Sequence, residues 1–252
     1  MMVPHHIKRS SVKTSKIYAL ALCAFLFGCK ESTRDNGQPQ VEGGPVAIGA
    51  MRQVMWEGKL EGQVKLDTLV PKKGLYGLGP ESYLTGELLI DDGVVYVSRV
   101  TSDSTMVVER TSDVSAPFFV YAHVDEWRSR SLPDSVKTQG QFEHFLDLTT
   151  KGDKRPFAFK LEGEVQKAVI HVQNLPEGTT VSSPQQAHQG QTDYNVTGAS
   201  ATIIGFFSTE HQGVYTQHDS YVHMHLITED KQLMGHLDEA SFGAMTLYLP
   251  QL

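Results

Sequence analysis

Tyr221-Val-His-Met-His-Leu-Ile-Thr-Glu-Asp-Lys-Gln-Leu-Met-Gly-His-Leu-Asp238 reads as a strand, a polar turn and a returning strand. Val222–Thr228 is apolar and β-branched around two histidines, and Glu229-Asp-Lys-Gln232 is the turn. Residues i and i+2 of a strand share a face, so His223 and His225 present two imidazoles on one side. The returning strand then brings His236 back opposite the pair. Three neutral imidazoles at about 2.0–2.1 Å, with positions left for water or substrate, form a catalytic type of zinc site. Imidazole alone does not choose among divalent ions. With 11 His in 252 residues, a His-x-His pair by itself is close to what chance supplies, and histidines on a solvated strand face are the plain alternative. That alternative takes His5, His6, His123, His144, His171, His188, His211 and His218. Of these, His211 and His218 flank the strand entering the site and are candidates to support the ligands from behind.

Outward from this stretch the pattern from Val46 onward is one of short apolar runs broken by Gly, Asp and Pro. Leu84–Ile90, Gly93–Val100, Thr105–Glu109, Phe118–Val124, Phe157–Leu161, Ala168–Val172, Ala201–Phe207, Val222–Thr228 and Met245–Leu249 read as strands. Asp91-Asp-Gly93 is a hairpin signal between two of them. Helical period is confined to Ala47–Glu57, Val64–Leu69 and Gln141–Thr149. The expectation is a β-rich α+β fold with few helices and no internal repeat. Residues 174–200, rich in Gln, Thr, Ser, Gly and Pro, are expected to connect two subdomains of about 46–173 and 201–252.

The N-terminus is a different kind of segment. Lys8, Arg9, Lys13 and Lys16 precede the apolar run Ile17–Gly28, which is shorter than the roughly 20 residues a spanning helix needs. Leu26-Phe-Gly-Cys29 resembles the bacterial lipoprotein cleavage box, in which the cysteine is acylated and becomes the new N-terminus. Residues 1–28 are therefore expected to be a lipoprotein signal peptide, 29–45 a flexible tether rich in Gly and Pro, and 46–252 the working body. Losing residues 1–28 removes four of 22 Lys+Arg and none of 29 Asp+Glu, leaving a body with a formal charge near −11. So acidic a body excludes nucleic acid as a partner, and its membrane contact is expected through lipid, outside the cytoplasm. Both cysteines, Cys23 and Cys29, lie at the leader, so histidine and carboxylate are left as the body's metal ligands.

Several strings together are similar to the acetolactate decarboxylases. Ala201-Thr-Ile-Ile-Gly-Phe-Phe207 and Tyr221–Asp238 resemble that family's zinc-ligand region, including its eleven-residue step from His225 to His236. Gly74-Leu-Tyr-Gly-Leu-Gly79, Leu84-Thr-Gly-Glu-Leu-Leu-Ile90 and Ala116-Pro-Phe118 resemble its N-terminal region, and the likeness runs from about Val46 to Leu252. It implies two mixed or antiparallel sheets, zinc on His223, His225 and His236, and a catalytic glutamate at Glu87. The implied reaction is decarboxylation of 2-acetolactate, a small 2-hydroxy-3-keto acid, to acetoin, and a homodimer is compatible with it.

Two departures stand out. Phe157-Ala-Phe-Lys-Leu-Glu-Gly163 has Lys160 where the family strand has an active-site arginine, so a point charge replaces a planar five-donor fork. Lys160 is nevertheless the implied partner of the departing carboxylate. The family also continues beyond the position of Leu249-Pro-Gln-Leu252 with an acidic segment carrying another site glutamate, for which Glu239 is a candidate substitute. Two other readings compete. His223-x-His225 followed by Glu229 resembles the first cupin motif, but no second such motif follows His236. A lipid-anchored metal- or ligand-binding module of the same fold, without decarboxylase activity, is the other.

Overall fold

The computed structural model describes residues 1–3 and 44–251; the leader, Cys23, Cys29 and all but the end of the tether lie outside the described residues. Among the described residues no helix is long and apolar enough to cross a membrane. The chain runs β1 (Val46–Ile48), α1 (Met51–Glu57), β2 (Val64–Lys65), β3 (Leu75–Pro80), β4 (Glu87–Asp91), β5 (Val94–Ser102), β6 (Thr105–Arg110), β7 (Ser115–Ala116) and β8 (Phe119–His123). It continues through β9 (Trp127–Ser131), α2 (Gln139–Thr149), β10 (Phe157–Val172), α3 (Pro184–Ala187), β11 (Thr192–Phe207), β12 (Val222–Thr228) and β13 (Met234–Pro250).

The first sheet has the order β1-β8-β3-β4-β5-β6 and the second β10-β11-β12-β13-β9, and β2 and β7 form a small pair. Every pairing within these sheets is antiparallel, so the expected β-rich fold with few helices is the one observed. In the second sheet β10 also pairs with β13, which closes β10, β11, β12 and β13 into a ring. The division between sheets falls between His123 and Trp127. Phe157–Val172 thus belongs with the C-terminal strands, and Thr192 already begins a strand inside the stretch read as a connection.

Local chemistry explains the remaining differences from the expected elements. The helix expected over Ala47–Glu57 is split, because Gly49 sits at φ 69° and Ala50 is extended. A Cβ at Gly49 would lie 2.4 Å from the Pro117 carbonyl oxygen, so a side chain there would force the two segments apart. Val64–Leu69 is not an α-helix but a two-residue strand and a 3-10 turn, since Val64 and Lys65 pair with Ala116 and Ser115. The third helix starts two residues before the expected Gln141, at a capping box: the Thr138 hydroxyl accepts from the Gln141 amide, and the Gln141 side chain accepts from the Thr138 amide.

Two apolar layers hold the ring in place. On one face Phe142 and Leu146 of α2 pack with Phe159, Leu161, Phe242 and Leu247, the Phe142 ring meeting Phe159 and Phe242 edge-on at 5.2 and 5.7 Å. Each such fully buried side chain contributes about 1.5–3 kcal/mol through apolar surface removed from water. On the other face Ala158, Ile204, Phe206, Ile227 and Met234 pack against Leu78, Leu89 and Val120 of the first sheet. The histidines stand at this second junction, between the two sheets.

Candidate metal centre

Strand register assembles the centre. His225 on β12 lies directly opposite His236 on β13, and His236 in turn lies opposite His171 on β10. Directly opposed residues in antiparallel strands point to one side, so three neighbouring strands each place an imidazole on the same face. His223, two residues before His225, shares that face. The rings of His223 and His225 are 5.3 Å apart, His223 and His236 5.0 Å, and His225 and His236 5.6 Å, while His171 stacks on His236 at 4.5 Å. Gly235 permits the close approach of β13 to β10: a Cβ there would lie 2.4 Å from the His171 carbonyl oxygen. From the first sheet, Glu87 at the start of β4 reaches across, its Oε2 3.6 Å from His225 Nε2 and its Oε1 4.0 Å from His171 Nε2.

All five side chains are buried, Glu87 to 2% exposure and His225 to none. Burial pushes the Glu87 carboxyl well above its ordinary range, against a backbone hydrogen bond from Gln173, and so favours the protonated acid. Burial, helped by the neighbouring imidazoles, drives His223 and His225 well below the usual histidine range and keeps both neutral, with a lone pair to give. Asp238 behaves in the opposite way. Burial disfavours its charge, but it accepts from His171 Nδ1 at 2.7 Å and His236 Nδ1 at 3.0 Å, and these bonds hold it far below the carboxylate range. An ionised Asp238 is acceptor-only, so both rings place a hydrogen on Nδ1, which leaves each Nε2 on the side of the ring away from Asp238.

The donor set suits a metal ion. Among the described residues, no group lies in hydrogen-bond geometry to the buried His223 Nδ1, His225 Nδ1 and His225 Nε2, a condition that costs about 1–3 kcal/mol per group in a closed site. Ligand atoms of His171, His236 and Asp238 lie within 4.8 Å of one another, and this trio could hold an ion. Because both Asp238 oxygens are already taken by ring N–H groups, its geometry equally suits a carboxylate that orients two histidines from behind.

Of the residues singled out from sequence, His223, His225, His236 and Glu87 come together here. Lys160 does not reach the cleft: its Nζ donates to Glu162 Oε1 at 2.7 Å and lies 4.7 Å from the Tyr248 ring centre. Glu239 is exposed and also absent from the cleft lining. His211 bonds Ser208 Oγ through Nδ1 and stacks on Tyr215, whereas His218 lines the cleft mouth. His171 and Asp238 were the residues missed. The strand carrying His171 was legible, but its partner across the ladder was not.

A cleft of about 520 Å³ leads to Glu87, His171, His223 and His236. Met51, Arg52, Met55 and Trp56 of α1, with Leu84 and Phe118, form much of its wall.

A family profile described as Alpha-acetolactate decarboxylase matches residues 48–252. The alpha-acetolactate decarboxylase of Bacillus subtilis is 26% identical over 199 residues, covering 77% of this chain and 73% of that protein. The one from Brevibacillus brevis is 25% identical over 222 residues, covering 85% of this chain and 74% of the relative. Among solved structures, the alpha-acetolactate decarboxylase of Bacillus subtilis strain 168 superposes with a TM-score of 0.67 at 23% identity, covering 82% of this chain and 85% of that one. A Staphylococcus aureus protein of unknown function, described as similar to alpha-acetolactate decarboxylase, gives 0.69 at 16% identity, with 81% and 84% covered. At these identities the superpositions speak for the fold alone.

Proposed function

Because this chain belongs to the alpha-acetolactate decarboxylase family of carboxy-lyases, we propose that it converts 2-acetolactate to acetoin in the cleft that ends at Glu87 and the histidines. The observation that carries this reading is the meeting of the buried Glu87 carboxyl with four buried imidazoles, three of whose ring nitrogens have no hydrogen-bond partner among the described residues. We assign zinc to His223, His225 and His236. When bound, the ion would supply Lewis acidity to the negative charge that gathers on the two adjacent oxygens of the substrate.

The chain's own residues do the rest. The substrate ketone lies β to the carboxylate, so breaking the C1–C2 bond releases carbon dioxide and leaves its electron pair delocalised over an enediolate. Glu87 gives its proton to the carbon that lost the carboxylate, and one proton from solvent restores it, so each turnover consumes one proton. Asp238 holds His171 and His236 in the tautomer that offers Nε2. The apolar wall around Leu84 and Phe118 limits water near the carbanion.

Acetoin release from racemic acetolactate by the zinc-loaded protein, set against His223→Ala and Glu87→Gln, tests the reading. Both variants are expected to fall at least about a thousandfold toward the spontaneous rate. Acetoin at the spontaneous rate from all three proteins would leave the ligand-binding module as the surviving alternative. We propose likewise that residues 1–28 are removed and Cys29 acylated, so that the body works outside the cytoplasm on a lipid anchor. Fatty-acid labelling that persists in Cys29→Ala would discard that assignment.

A further inference from the structure

We propose that Arg52 is the residue that docks the substrate carboxylate, and that α1 is the recognition element for a 2-hydroxy-3-oxo acid bearing a small alkyl group. The proposal rests on the decarboxylase reading of the cleft. Arg52 is the one lysine or arginine among the described residues that line it. Its guanidinium is also singular. Arg99 is held by Glu81 and Glu109, Arg128 by Asp153, and Arg155 by Asp147, while Arg110 and Arg130 lie over the rings of Tyr96 and Phe145. Among the described residues Arg52 alone of the arginines has neither a carboxylate nor a ring. The other cation expected to serve, Lys160, is already bound to Glu162.

The base of Arg52 is fixed while its fork is unengaged. Its backbone N–H donates to the Gly213 carbonyl at 3.0 Å, the Met51 N–H donates to Val214 at 2.9 Å, and Val54 on the same helix is fully buried. A planar guanidinium can grip a carboxylate with two parallel hydrogen bonds, which an ammonium cannot. The exposed carboxylate that shares the cleft, Asp219, stands 3.8 Å from His218 Nδ1. Met51 and Met55 of the same helix supply unbranched, polarisable side chains that adapt to an alkyl substituent beside the carboxylate. A local cation also offsets the repulsion that an acidic body exerts on an anionic substrate.

The carboxylate is present in the ground state and is leaving in the transition state. A group that grips it therefore acts mainly on KM, unlike Glu87, whose loss lowers kcat. Arg52→Gln is expected to raise KM at least about tenfold with kcat changed less than about threefold, and Arg52→Lys to fall between. A binding measurement separates this from the reaction itself. Calorimetry on the zinc-loaded protein would compare the unreactive dihydroxy acid, in which the substrate ketone is reduced, with the same diol lacking the carboxylate. The expected result is tighter binding of the acid by wild type, an advantage lost in Arg52→Gln with diol affinity unchanged. Equal weakening of both ligands, unchanged acid affinity in Arg52→Gln, or no acid binding by wild type would each overturn the proposal. Wild type that binds the acid through Arg52 yet releases no acetoin would instead sink the decarboxylase reading.

Discussion

Lys160 and His171 stand on the same strand, β10, and at opposite ends of one cross-strand row. From Lys160 the row passes to Ile204 on β11, His225 on β12 and His236 on β13, then returns around the closed ring to β10 at His171. At the Lys160 end every charge is answered locally. Burial works against the ammonium, yet its bond to Glu162 raises its pKa, and the Glu162 carboxylate is correspondingly held low by Lys160 and Tyr248 in spite of its own burial. At the His171 end the polar atoms are more deeply buried and several have no partner. A self-satisfied ion pair has no donor left for a ligand, whereas orphaned imidazoles have lone pairs to give. Binding capacity therefore follows the unsatisfied end of the row.

The largest expected break in this contrast is His236→Ala, because His236 belongs both to the zinc set and to the trio with His171 and Asp238. The variant is expected to retain less than about a tenth of the wild-type metal and to form acetoin at the spontaneous rate, read by elemental analysis and product assay. Asp238→Asn comes next. An amide can accept from a ring N–H through its oxygen alone, so one of the two histidines loses its orienting partner, and metal affinity is expected to fall about 10–100-fold in chelator competition. His171→Ala sharpens the assignment: with His223, His225 and His236 intact, metal is expected at the wild-type ratio. Stoichiometric loss would move the ion to the His171, His236 and Asp238 trio.

The smallest effect is expected at the satisfied end. Lys160→Met should alter kcat/KM less than about threefold and cost about 0–1 kcal/mol, since Glu162 is partly exposed and solvent screens the pair. The sign of its pH dependence follows from the shifts. A carboxylate whose folded pKa is lowered adds stability above its unfolded value near 4, and that part is lost as pH falls through the lower folded value. Lysine raised above its unfolded value adds stability below about 10.4, lost as pH rises through the folded value. Denaturant midpoints of wild type and Lys160→Met should therefore converge in acid and again in strong alkali, and differ between. A gap that persisted at pH 2 would mean that packing on Tyr248, not the ion pair, is what Lys160 contributes.

Much of the architecture was legible because strand period and turn chemistry are local. Val222–Thr228 was read with its observed bounds, and Asp92 and Gly93 form the β4–β5 hairpin turn at φ 44° and 79°, where glycine's freedom is needed. Leu75–Pro80 went unread as a strand because it is buried on both faces and glycine-rich, which leaves no alternation to see. The long strands β10 and β13 were read in fragments, since the register shifts of β10 against β13 interrupt the period. Those same shifts bring His171 opposite His236.

From the sequence alone came a β-rich chain, an acidic cysteine-free body, the His223, His225 and His236 spacing and the glutamate at 87, because each depends on neighbours within a turn or a strand or on a familiar string. Tertiary structure alone decided that His171 joins the cluster, that Asp238 bonds two rings, that Lys160 spends its charge on Glu162, and that Arg52 lines the cleft with no carboxylate or ring partner among the described residues. Those outcomes depend on which strands pair, in what register, and on where each polar group finds its partner across the fold. Pairing between residues 65 positions apart in the chain, as in His171 and His236, leaves no mark in the local pattern of either strand.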